Sequence, residues 1–125
     1  MSFEIGIDRD NQTVIARVSG RAAHEEHKKA REEAARSCID NGFKRLLVDL
    51  RNANTADITA DLAFEFGGLL ASDERLKDVR TAHVMPKEYV SRIDVDFATC
   101  IAEIKGKATS KFIILEEAIQ WLKEQ

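Results

Sequence analysis

Apolar and polar positions along this chain follow two periods, and the switches between them mark its elements. Phe3, Ile5 and Ile7 alternate with Glu4 and Gly6, and Val14, Ala16 and Val18 repeat that two-residue period after the polar turn Asp8-Arg9-Asp10-Asn11-Gln12. Two such runs predict an antiparallel hairpin, closed by Gly20. From Ala22 to Asn41 the period becomes helical and the residues are strong helix formers, with a thin stripe of Ala23, Ala30, Ala34, Cys38 and Ile39. Gly42 is placed to stop that helix in the left-handed conformation.

Leu46-Leu47-Val48-Asp49-Leu50-Arg51 is nearly continuous in apolar residues, as a strand buried on both faces is. A polar loop over 52–57 leads to a second helix starting near Thr59, with Asp57 or Thr59 as its cap. Leu62, Phe66, Leu69 and Leu70 supply its core stripe. A charged loop over 73–78 and a strand over 79–85, closed by the sole proline Pro86, come next. The segment 87–93 fits neither period, whereas Ile93, Phe97, Cys100, Ile101 and Ile104 fall at helical spacing and predict a third core-facing stripe. A strand over 108–115, buried from Phe112 to Leu115, and a helix over 116–122 anchored by Ala118, Trp121 and Leu122 end the chain. The order β-β-α-β-α-β-α-β-α predicts an α/β fold: a starting antiparallel hairpin, then a mostly parallel sheet flanked by helices.

With 125 residues and no repeat or linker, the chain reads as a single domain over 1–125. Hydrophobic residues make up 44% and charged residues 33%, an ordinary globular balance. A net charge of −3 excludes a broad nucleic-acid footprint, and the basic run His27-Lys28-Lys29 is diluted by Glu25, Glu26, Glu32 and Glu33. No secretory signal or membrane span is visible. Cys38 and Cys100 read as small buried hydrophobes in a reducing compartment, so cytoplasm is the expected address.

The hairpin ending in Val18-Ser19-Gly20, the strand Leu46-Leu47-Val48-Asp49-Leu50 and the closing Glu116-Glu117-Ala118-Ile119-Gln120-Trp121-Leu122 resemble the SpoIIAA-like proteins, relatives of the STAS domain of anti-sigma-factor antagonists. The resemblance implies a STAS-like fold over the whole chain. In signalling STAS domains the loop after the central strand ends in an Asp-Ser-Ser/Thr-Gly-like sequence, and a partner kinase phosphorylates one serine there. The matching stretch here is Asp57-Ile58-Thr59-Ala60. Asp57 fits and Thr59 stands for the second hydroxyl residue, but Ile58 takes the place of the phosphorylated serine and the glycine is missing. The resemblance therefore implies a regulatory module without that switch. Thr55 and Thr59 remain candidate phosphate acceptors near a helix N-terminus, against plain readings as loop residue and cap.

Residue chemistry narrows the function further. His24 and His27 are three apart, whereas a zincin helix needs four-residue spacing and a third ligand, so surface histidines are expected and no metal or cofactor. His83 and Asp49 are lone titratable groups in strands, and Asp49 is expected to accept loop N–H bonds. No paired acid, base or nucleophile stands out, which predicts a non-catalytic protein, with an activity through His83, Asp49 or a metal at His24 and His27 as the minor alternative. The second helix is unusual because Ala60, Phe64, Gly67, Gly68 and Ala71 make another uncharged face, with two adjacent glycines that each cost about 1 kcal/mol relative to alanine. With Thr55, Asp57 and Thr59, this face is the expected surface for a protein partner or second copy. Two other readings compete. The face could border a cavity, shared with segment 87–97, for a lipid-like ligand, or touch a membrane peripherally; or the 87–93 segment could simply bury it.

Overall fold

The computed structural model describes residues 2–21 and 23–124. Its elements are β1 (Ser2–Asp8), β2 (Thr13–Arg21), α1 (His24–Asn41), β3 (Arg45–Asn54), α2 (Ala60–Ser72), β4 (Arg80–Val84), α3 (Tyr89–Ile104), β5 (Thr109–Phe112) and α4 (Leu115–Lys123). A single 3₁₀ turn, Glu74–Leu76, sits in the charged loop before β4. The predicted order of elements is the observed one. The strands form one sheet in the order β1-β2-β3-β4-β5, with β1 antiparallel to β2 and every later neighbour parallel.

The central strand is buried on both faces for the reason its sequence suggests. Leu46, Val48 and Leu50 meet a core built with Ala30, Ala34 and Cys38 of α1, while Leu47 points to the opposite face, where Ala118 and Leu122 of α4 cover it. Trp121 is half-buried beside Phe112, and the Arg80 guanidinium lies 3.9 Å over its ring. Gly42 ends α1 at φ 65°, donating its N–H to Ile39 and Cys38 carbonyls, as a left-handed stop does.

Several apolar positions lie elsewhere than their period suggests. Ala22 falls outside the described residues, and Ala23 caps α1 rather than joining its stripe. Ile39 is exposed because α1 needs only its alanines and Cys38 against the sheet. Ile7, at the end of the edge strand β1, is exposed. β5 ends at Phe112, so Ile113 and Ile114 are exposed in the turn into α4 instead of forming a buried strand end.

Candidate binding surface and cavity

The loop after β3 is pinned by its polar residues. Thr55 is buried; its hydroxyl donates to Asp94 Oδ2 at 2.6 Å, and its backbone N–H donates to Ser91 Oγ at 3.0 Å. Both bonds tie the loop to α3. Asp57 takes two hydrogen bonds from the Arg21 guanidinium, at 2.7 and 2.8 Å, and this ion pair holds its carboxyl below the usual range. Thr59 is the cap: its Oγ1 accepts the Leu62 N–H at 3.2 Å. Of the two threonines, Thr59 is the exposed one. Ile58, between Asp57 and the cap, is turned inward.

From this cap α2 runs alongside α3, and its close packing is with that helix rather than with a strand. Gly67 is the tightest point. A Cβ there would lie 2.3 Å from the Ala98 carbonyl oxygen and 2.7 Å from Ile101 Cβ. Gly67 is therefore buried in a helix–helix contact and is no part of an open surface. Gly68 is looser, because a Cβ added there would have only Lys105 Cε within 4 Å. Phe64 stands 52% exposed, and Ala60 is exposed too, whereas Ala71 is half-buried. The second face of α2 is thus divided between packing and solvent, and α3, whose first turn takes up 89–93 of the ambiguous segment, covers part of it through Ala98 and Ile101.

α3 overturns its predicted orientation. Its buried residues are Ser91, Val95, Thr99 and Ala102, a stripe of small side chains. The large ones point away: Val90 is 59% exposed, Ile93 51%, Phe97 40% and Ile104 81%. Small inward residues allow a close approach, and Thr99 neutralises its hydroxyl by donating to carbonyls of its own helix, Val95 at 3.0 Å and Asp96 at 3.0 Å. Ile101 alone of the expected stripe packs against α2. Large apolar side chains are thus gathered in the open on one helix face, with Phe64 exposed on the helix beside it.

Behind these helices lies a cavity of about 160 Å³. Its floor is Ala16 and Val18 of β2, Leu46, Val48 and Leu50 of β3, and His83 of β4; α1, α2, α3 and Ile58 wall it. The alanines of α1 and of β2 leave this space open, since α2 is held by α3 and not drawn down onto the sheet. Thr55 lines it as well, so the loop and the cavity form one region.

Of the titratable candidates, His83 and His27 line the cavity, whereas Asp49 and His24 do not. Burial holds His83 down at about 4, so its ring is neutral near pH 7. Thr109 Oγ1, 3.1 Å from His83 Nδ1, donates its proton to the Thr81 carbonyl at 2.8 Å, which leaves Nδ1–H as the donor between them. That hydroxyl is spent and is no nucleophile. Asp49 accepts the Arg51 N–H at 3.1 Å and two bonds from its guanidinium; burial raises its carboxyl, but these bonds prevail and hold it low. His24 and His27 both pack on the Phe66 ring, at 5.0 and 5.5 Å between centroids, and are half-buried, not free surface groups. Burial lowers the His27 pKa. Among the described residues no three His, Cys, Asp or Glu side chains gather as a metal site would need.

Sequence reasoning missed Ile58, His27, Arg31, Asp94 and Thr99 as cavity walls, and the outward row of α3. The signal for the row was present: Ser91, Val95, Thr99 and Ala102 form a second helical stripe, compatible with close packing.

No known family model matches this chain, and no curated protein does. Among solved structures it is similar to the anti-sigma factor antagonist SpoIIAA in its unphosphorylated form, at 15% identity and a TM-score of 0.66, over 98% of this chain and 96% of that one. The two share one fold. The mixed five-stranded sheet with four helices is the STAS-like architecture that the strand and helix patterns resemble. No helix among the described residues is long and apolar enough to cross a membrane.

Proposed function

We propose that this protein is a non-catalytic regulatory module of the SpoIIAA kind, acting by docking a protein partner on its α2–α3 face. The observation that carries the reading is the outward row Val90, Ile93, Phe97 and Ile104, with Phe64 beside it. A chain that could have buried these side chains instead buries Ser91, Thr99 and Ala102, and such an arrangement is stable in use when something else covers the row. The fold shared with an anti-sigma factor antagonist supports a regulatory role in the cytoplasm. A buried isoleucine at position 58 supports a module that works without the phosphoserine switch.

Ile93→Asp combined with Phe97→Asp tests this. Exposed sites tolerate substitution within about 0.5 kcal/mol, so the thermal midpoint should hold to within a few degrees. Copurification of the partner, or self-association if the partner is a second copy, should fall by tenfold or more. Phe64→Asp should behave alike. Unchanged association would contradict the reading, as would unfolding of Phe64→Asp; loss of vesicle binding alone would transfer the face to a membrane surface.

The cavity favours a second reading, in which the module senses a small apolar ligand. At about 160 Å³ it falls below the roughly 300–1,000 Å³ of drug-sized sites and near the roughly 150 Å³ space that takes benzene. A whole lipid is too large for it, so the lipid-like expectation contracts to a molecule of a few carbons. Native mass spectrometry of gently purified protein should then show a retained small mass, and a clean apo mass would count against this reading.

A further inference from the structure

The cavity's walls are apolar except at a few places, and α1 carries the most telling of these. His27 and Arg31, one helical turn apart, both line it. Three of their buried atoms, His27 Nε2, Arg31 Nε and Arg31 Nη1, have no hydrogen-bond partner among the described residues. The rest of the Arg31 guanidinium is turned to carboxylates, with Nη2 3.4 Å from Glu32 and Nε 3.9 Å from Asp73. Asp73 is itself occupied by Arg75, through bonds of 3.0 and 2.8 Å. Nε, near Asp73 but beyond hydrogen-bond reach, and Nη1 are therefore both left without a bond. Buried donors are seldom left unpaired, because each one gives up its bonds to water and gains none in return.

We propose that the cavity takes a small amphipathic monocarboxylate, with its carboxylate held by Arg31 Nη1 and His27 Nε2 and its apolar body lying over Ala16, Val18 and Leu46. This rests on the ligand-sensing reading and names the ligand's class. The volume limits the apolar body to about the size of benzene, hence a five- to seven-carbon chain or one aromatic ring. The acidic wall residue Asp94 belongs to α3, and its Oδ2 accepts the Thr55 hydroxyl. A cation would meet the guanidinium and be rejected; a neutral ligand would offer Nη1 only an uncharged acceptor, the weaker bond.

The test compares hexanoate with hexan-1-ol, which match in chain length and differ in charge, by NMR titration of the intact protein. Hexanoate should bind at least tenfold more tightly and shift the signals of His27, Val18 and Leu46, because a charge-assisted bond adds roughly a factor of ten or more. Arg31→Met, which keeps an apolar stem, should erase that preference while hexanol still binds. Should the variant fail to fold, the wild-type comparison decides alone. Equal binding of the two compounds would overturn the carboxylate assignment and leave the cavity reading standing. Shifts from neither compound would overturn both.

Discussion

Gly67→Ala should destabilise the protein by about 3 kcal/mol or prevent folding, whereas Gly68→Ala should stabilise it by about 0.5–1 kcal/mol. The two residues are adjacent in one helix, so propensity alone predicts the same gain for both. What separates them is the neighbouring helix. A Cβ at Gly67 would meet the Ala98 carbonyl oxygen at 2.3 Å, and a backbone oxygen can yield only if α2 and α3 move apart. A Cβ at Gly68 would reach no closer than 3.9 Å to the flexible end of Lys105. Chemical denaturation of the pair measures the difference. A neutral Gly67→Ala would mean that α2 and α3 do not pack at this separation, and the division of α2 into a packed and an open side would fail with it.

A second large effect is a rise in stability with pH. Lys107 is buried, and its ammonium donates to the Leu76 carbonyl at 2.9 Å and to the Val79 carbonyl. Burial lowers its pKa from 10.5 to about 8. Between those values the unfolded chain holds the proton and the folded chain does not, so stability rises with pH, by about 3 kcal/mol across the window. Cys38 opposes this. Burial raises its thiol from 9.0 to about 11, so from pH 9 upward the unfolded chain loses a proton that the folded chain keeps, and stability falls. The two effects cancel above pH 9, and the wild type should gain stability only from about pH 8 to 9. Cys38→Ala should extend the rise toward pH 10.5, and Lys107→Met should abolish it. Urea titrations at stepped pH read these slopes directly; a flat Cys38→Ala profile would contradict the burial of Lys107 as a charged group.

The strands and the stops were legible because each depends on local chemistry. Leu46 to Leu50 could hardly be anything but a central strand, and Gly42 and Thr59 sit where a left-handed stop and an N-cap are needed. α3 was misread for a physical reason. Periodicity shows that a helix has an apolar stripe, and it names the core only if the domain itself covers that stripe. Here the rival stripe of Ser91, Val95, Thr99 and Ala102 packs inward, leaving Ile93 and Phe97 for solvent or a partner. Gly67 and Gly68 could not be told apart, since the difference lies in the position of Ala98, 31 residues beyond Gly67. The cavity was invisible in detail because it records what Ala16, Ala30 and Ala34 do not fill.

Placing a photo-crosslinking amino acid at position 93, with Arg36 on the exposed side of α1 as the control site, tests the docking face most directly. Irradiation of cells making the full chain should yield one discrete protein adduct from position 93, or a dimer of the chain itself, and none from position 36. No adduct at position 93, or the same smear from both sites, would contradict the account.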